Sequence, residues 1–168
     1  EPIDVVASAS FGRDSRFSRC DEMTSVVLTF PEGRIAQFCS SFGATRTGNY
    51  RVIGTTGEVL VYNAYDYEKP MRYELHNDLG DVRTRRMGKR DQFGPQLDYF
   101  SRCIQNHVEP EPNGWEGYAD VRIVSAIHEA VRSGRRVPLE PPQGRQRSER
   151  ESVSQFGSRQ IAQSSPMK

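Results

Sequence analysis

Residues 50–62 read YRVIGTTGEVLVY, and the fold is decided there. Two β-rich stretches, Tyr50 to Ile53 and Glu58 to Tyr62, flank Gly54-Thr55-Thr56-Gly57. Glycine reaches backbone angles closed to other residues, so this pattern predicts two strands joined by a tight hairpin. The same logic extends in both directions. Upstream, Ser25 to Phe30 alternates, with Val26, Leu28 and Phe30 on one face and Val27 and Thr29 on the other. That is the period of two of a strand. Pro31-Glu32-Gly33-Arg34 is turn chemistry, and Ile35 to Phe42 returns as the partner strand. Val5 to Ala7 is a short apolar strand before them. Downstream, Met71 to Leu75 and Val82 to Met87 form another pair around Asn77-Asp78-Leu79-Gly80.

The last third changes period. Leu97, Phe100 and Ile104 stand at i, i+3 and i+7, which predicts an amphipathic helix over 94–106 with Pro95 in its first turn. A second helix is predicted over 118–133, burying Ile123, Val124, Ile127, Ala130 and Val131, with Gly134 as its left-handed cap. Val137-Pro138-Leu139 closes as a short strand. Consecutive strands on short turns followed by two helices imply an α+β fold: an open, largely antiparallel sheet with helices packed on one face. Two helices cover only one side of such a sheet. The other side meets water or a partner, and homo-oligomerisation through the open sheet face is expected.

Composition bounds the function. The 168 residues carry 23 basic and 22 acidic side chains, a net charge of +1. That balance argues against a dedicated nucleic-acid or membrane-surface protein. No apolar run is long enough to span a bilayer. Mean hydropathy is low, −0.71, so part of the chain is expected to lie outside the core. Residues 141–168, rich in Gln, Ser and Arg, fit that description. Five basic and two acidic residues give this tail a charge of +3, and it is expected to be disordered, leaving residues 1–140 as the folded domain. Cys20, Cys39 and Cys103 are too few and too scattered for a disulfide framework or a metal site, and Cys39 and Cys103 are expected to pack as small hydrophobes. Reduced thiols favour a cytoplasmic compartment. A periplasmic one stays open because the sequence starts at Glu1, without a visible leader.

Three stretches together resemble a known family: YRVIGTTGEVLV from Tyr50, DQFGPQLDYFSRCI from Asp91, and EPEPNGWEGYADVRIVSAIHEAVRSGRRVPL from Glu109. They are similar to the C-terminal domain of the glucose–fructose oxidoreductase, inositol dehydrogenase and rhizopine catabolism (Gfo/Idh/MocA) family, in its glucose–fructose oxidoreductase-like branch. The resemblance covers roughly residues 1 to 140. It implies an enzyme whose N-terminal Rossmann domain holds NAD or NADP, whose C-terminal sheet floors the site for a sugar or polyol substrate, and which assembles as dimers or tetramers. Mapped here, the substrate-side positions fall in 46–49 and 89–93. Arg46 would donate paired hydrogen bonds to hydroxyls, Asp91 would accept from them, Gln92 would do either, and Phe93 or Tyr50 would stack on a sugar face. Each has a plainer reading: Asp91 as a helix cap, Phe93 as a staple onto Leu97, Tyr50 packed within its strand.

The departures matter as much. No GxGxxG lies between a strand and a helix, so this chain alone is expected to bind no dinucleotide and to be inactive, with no catalytic or metal residue assigned. Glu68-Lys69-Pro70 matches a family catalytic motif by sequence, but it follows Tyr62 to Tyr67 in the sheet region and reads as a solvated loop. His76, His107 and His128 match no family position. The competing reading is a non-catalytic interaction or assembly module on the same fold. A nucleic-acid role for the tail has only its +3 charge behind it.

Overall fold

The computed structural model describes residues 1–12, 14–88 and 91–140. The tail expected to be disordered lies outside the described residues, as does Lys89. Among the described residues the elements run β1 (Asp4–Ser10), β2 (Met23–Thr29), β3 (Ile35–Ser41), β4 (Tyr50–Ile53), β5 (Gly57–Tyr62), β6 (Arg72–Asn77), β7 (Val82–Arg86), α1 (Phe93–Gln105), α2 (Gly114–Ser133) and β8 (Val137–Pro138). The α+β class, the open antiparallel sheets and the helical last third follow the sequence reading. The strands form two sheets rather than one, ordered β3-β2-β1-β8 and β4-β5-β6-β7.

The chain gathers into two compact units. One comprises Glu1–Ser8, Ser25–Phe38 and the stretch from Pro112; the other comprises Ala9–Thr24 and Cys39–Glu111. In the first, Val5, Val26 and Leu28 are the inward positions of β1 and β2, and they pack with Ala126, Ile127 and Ala130 of α2 and with Val137 and Leu139. Phe30, Ala36 and Ile123 line this core. Val5 and Val26 are sealed from solvent, each burial stabilising by roughly 1.5–3 kcal/mol. The last strand joins non-locally: β8 pairs antiparallel with β1, Asp4 opposite Pro138 and Val5 opposite Val137. Both ends of α2 are finished. The Asn113 side chain accepts from the Trp115 and Glu116 amides at 3.0 and 3.2 Å, and Gly134 takes φ +65° at the C-cap. The helix starts four residues earlier than expected because Asn113, not a residue near Tyr118, supplies its cap. Of its expected stripe, Ile127 and Ala130 are buried and Val124 is exposed; Ala126 is buried in addition.

The second unit holds the meander β4–β7. Its register is regular: Tyr50 faces Val61, Glu58 faces His76 and Glu74 faces Thr84. The Gly54 amide donates to the Gly57 carbonyl at 2.8 Å, closing the predicted hairpin. A Cβ on Gly57 would collide with the His76 carbonyl oxygen, so the second glycine is required by close approach of the β6 backbone.

Two expectations about packing fail. Cys103 is buried but Cys39 is exposed, because Cys39 sits at an outward position near the end of β3. The stripe of α1 is also open: Leu97, Phe100 and Ile104 remain 69%, 50% and 60% exposed. The helix is instead anchored on the side of Cys103, which is only 6% exposed.

Candidate functional site

The five residues expected to meet a sugar all lie in the second unit. What joins three of them is a segment that the sequence reading passed over as a spacer, Asn63 to Pro70. The loop is a built structure. Asn63 adopts a left-handed φ of 54°, its amide donates to Asn49 Oδ1 at 3.1 Å, and its Nδ2 donates to the Pro70 carbonyl at 3.2 Å. The Ala64 amide donates to the Gly48 carbonyl at 2.6 Å, fastening the loop to the 46–49 turn. Asn and Asp are suited to this because their short polar side chains close turns against nearby amides.

Three consecutive loop residues then reach three of the expected site residues. The Tyr65 ring lies 6.3 Å from the Tyr50 ring, tilted by 45°. Asp66 Oδ1 lies 3.8 Å from the Arg46 guanidinium. The Tyr67 ring lies 5.7 Å from the Phe93 ring at 30°. Tyr50 therefore does not simply pack within its strand. Phe93 pairs with Tyr67, and both rings keep more than half of their surface open. The signal that would have found this loop is the triplet Tyr65-Asp66-Tyr67 itself: two aromatics around a turn-forming acid.

Asp66 is the pivot. Its side chain is 8% exposed. It accepts from the Glu68 and Lys69 amides at 2.8 and 3.0 Å. Those two bonds, the Glu68 bond foremost, together with the nearby charges of Arg46 and Lys69, hold its carboxyl below the usual Asp range despite partial burial. The long ion pair to an Arg46 that is itself mostly exposed contributes little to stability. Glu68, Lys69 and Pro70 are exposed, as a solvated loop requires, and the Lys69 amide serves the Asp66 turn.

Asp91 takes its plainer role. It accepts from the Phe93 amide at 3.0 Å and the Gly94 amide at 3.2 Å, so its carboxylate closes the start of α1. A Cβ on Gly94 would stand 2.6 Å from that carboxylate, which accounts for glycine there. Gln92, at the N-cap, makes no capping bond with its side chain and is exposed.

A second cluster occupies one face of the meander. Arg51 pairs with Glu58; His76 lies 4.0 Å from Glu58 and 3.3 Å from Glu74. Arg72 donates to Glu74 at 2.7 Å and stacks its guanidinium 4.1 Å from the centre of the Tyr62 ring. Glu58 and His76 are directly opposed, Arg51 reaches Glu58 on the diagonal, and Arg72, Glu74 and His76 alternate along β6, so all five share one face. His76 thereby belongs to a ladder of polar side chains on this face, while His128 is solvated on α2. No group of three metal-ligating side chains is gathered among the described residues, and no described helix is long and apolar enough to cross a membrane.

Among the described residues, the starts of both α-helices are occupied by the chain's own side chains. A pyrophosphate needs open amides at a helix start. At α1 those amides are taken by a carboxylate, and at α2 by the Asn113 side chain.

Residues 2–139 match the model of an oxidoreductase family, C-terminal alpha/beta domain (GFO_IDH_MocA_C). D-xylose 1-dehydrogenase (NADP(+)) 2 from Haloferax volcanii is 27% identical over 128 residues, 76% of this chain and 39% of that protein. The crystal structure of an aldose-aldose oxidoreductase from Caulobacter crescentus, complexed with glycerol, is 33% identical with a TM-score of 0.75, covering 83% of this chain and 42% of that one. A levoglucosan dehydrogenase in complex with NADH and levoglucosan has a TM-score of 0.66 at 16% identity, covering 84% of this chain and 46% of that one, a likeness of fold. The chain thus spans about two fifths of the length of these relatives.

Proposed function

Since the chain belongs to the Gfo/Idh/MocA oxidoreductase family as its C-terminal α/β domain, we propose that it is the substrate-side half of an NAD(P)-dependent sugar or polyol oxidoreductase. The nucleotide and the redox step belong to a dinucleotide-binding domain outside this chain. The part played here is to bind and orient the sugar. The observation that carries the reading is the convergence of Arg46, Tyr50 and Phe93 on the single loop segment Tyr65-Asp66-Tyr67. A pyranose presents a C–H face and a rim of hydroxyls. Half-open aromatic pairs suit the first, and directional donors and acceptors suit the second. Tyr67 and Phe93 are assigned the stacking face, Gln92 and the outer guanidinium edge of Arg46 the hydroxyls, and Asp66 the positioning of Arg46. Asp91 contributes through its hold on the α1 start. The relatives act on related chemistry, one named for D-xylose and one for aldoses.

The test is steady-state kinetics with D-xylose and NADP on the polypeptide expressed with its upstream coding sequence. Phe93→Ala and Tyr67→Ala are each expected to raise KM for the sugar about tenfold, with kcat changing less and NADP affinity unchanged. Unchanged KM in both variants would remove the stacking assignment. Absence of any sugar-dependent turnover, with a range of aldoses and polyols, would favour the alternative: a non-catalytic assembly module on the same fold.

Self-association through an open sheet face is part of the proposal. Val6 and Val27 are outward positions of β1 and β2, alternate to the buried Val5, Val26 and Leu28, and both are exposed. Light scattering on Val27→Lys is expected to show a smaller species than the parent chain. An unchanged mass would place the contact elsewhere.

A further inference from the structure

The loop 63–70 is closed at its mouth by one side chain. Asn63 Nδ2 donates to the Pro70 carbonyl at 3.2 Å, so the first residue of the loop holds the last. The Asn63 amide donates to Asn49 Oδ1 at 3.1 Å, which ties the closure to the 46–49 turn, and the Asp66 amide donates back to the Asn63 carbonyl at 3.3 Å. Asn63 does this at a left-handed φ of 54°, which asparagine tolerates better than most residues. We infer that Asn63, with Asn49 as its acceptor, is a positioning residue of the sugar site: it presets the segment Tyr65-Asp66-Tyr67 before substrate arrives. The inference rests on the proposed function and adds to it the group that fixes the site's shape.

Two observations carry it. The first is that the segment's own contacts are modest. Tyr65 meets Tyr50 at 6.3 Å between ring centres and Tyr67 meets Phe93 at 5.7 Å, both pairs tilted rather than closely stacked. The Arg46–Asp66 pair is 3.8 Å long, and its guanidinium is mostly exposed. Contacts of these kinds contribute little each, and they do not offset the backbone entropy of ordering a loop. The loop is held from behind instead, by the bonds of Asn63 and by the Ala64 amide on the Gly48 carbonyl. The second observation is that the three contacts run to three separate places: the 46–49 turn, strand β4 and the start of α1. A shift at the base of the loop therefore moves all three together. With the loop set beforehand, sugar binding does not carry the cost of ordering it, so loss of the closure is read in sugar affinity rather than in the redox step.

The test compares Asn63→Gly, Asn49→Ala and Asn49→Asp in the polypeptide expressed with its upstream coding sequence, by steady-state kinetics with D-xylose and NADP. Glycine at 63 keeps the left-handed backbone and removes the Nδ2 donor; alanine at 49 removes the acceptor, and aspartate keeps it. Asn63→Gly and Asn49→Ala are each expected to raise KM for the sugar about fivefold, with kcat and KM for NADP within about twofold of the parent, while Asn49→Asp keeps the parent KM. Because Asn63 acts through the residues it places, adding Asn63→Gly to Tyr67→Ala is expected to raise KM by no more than about twofold further. Amide hydrogen exchange, read without substrate, is expected to quicken at Glu68 and Lys69 in Asn63→Gly. Unchanged exchange there overturns the inference, as does an unchanged sugar KM in both Asn63→Gly and Asn49→Ala. Full multiplication of the two effects in the double variant, or an equal rise in KM for NADP, makes the role merely structural and also overturns it. Turnover of sugar with any of these results leaves the proposed function standing. Absence of turnover with every aldose and polyol tried removes the proposed function, and this inference with it.

Discussion

Replacing Leu28 and Leu97 by alanine, one at a time, separates a core position from an exposed apolar position in the same chain. Leu28 is 8% exposed and packs among Val5, Val26 and Ile127. Truncation removes three buried carbons at about 0.8 kcal/mol each, and the cavity left behind brings the loss to about 3 kcal/mol. For a chain of this size that is a fall in Tm of about 10 °C. Leu97 keeps 69% of its surface in water, so only a third of the same transfer energy is at stake, about 0.7 kcal/mol, partly offset by the better helix propensity of alanine. Its Tm is expected to move by no more than about 2 °C. Urea and thermal melts of the 168-residue chain, followed by far-UV circular dichroism and tryptophan fluorescence, measure both. Coincident transitions by the two probes are needed before the values are compared. A Leu97→Ala loss equal to that of Leu28→Ala would refute the reasoning, since the stripe would then be buried within this chain.

Asn113→Ala removes the acceptor for two amides at the start of α2 and is expected to cost about 1 kcal/mol in a urea melt. Gly134→Ala forces a Cβ onto a φ of +65° and is expected to cost a similar amount, about 1 kcal/mol, whereas Gly33→Asn, at another left-handed position, should be nearly silent. Asp66 titrates below its unfolded value, so its ionised form contributes stability that is fully present above about pH 4 and is lost as the pH falls through the folded pKa. The stability difference between the parent chain and Asp66→Asn should therefore be constant near neutrality and shrink on acidification below pH 4. A difference that grows on acidification would reverse the sign of the linkage.

Local chemistry was legible in the sequence and long-range closure was not. The β4–β5 hairpin was readable because Gly54 and Gly57 bracket it and the flanking residues alternate. The strand from Val26 to Phe30 was readable for the same reason, and its inward set is the core. Turn residues say which neighbours pair, but they do not say where a sheet stops. The two sheets part between β3 and β4, and β8 adds to the edge of β1 through a pairing of Val5 with Val137 that no short-range pattern announces. Periodicity likewise identified Leu97, Phe100 and Ile104 as one face of a helix without identifying what that face meets. At the site, Asp91 could be read both as a cap and as a ligand, and its carboxylate accepts from the Phe93 and Gly94 amides as a cap does. The gathering of Arg46, Tyr50 and Phe93 was hidden because each contacts a different residue of one loop, far from it in sequence.

The Asp91 carboxylate at the head of α1 has a bearing on the local field. The positive end of that helix is already neutralised from within, beside Phe93 and Gln92. An anion arriving at the same place would find a resident negative charge where it needs a positive one. An uncharged group would meet no such repulsion at this end of the helix.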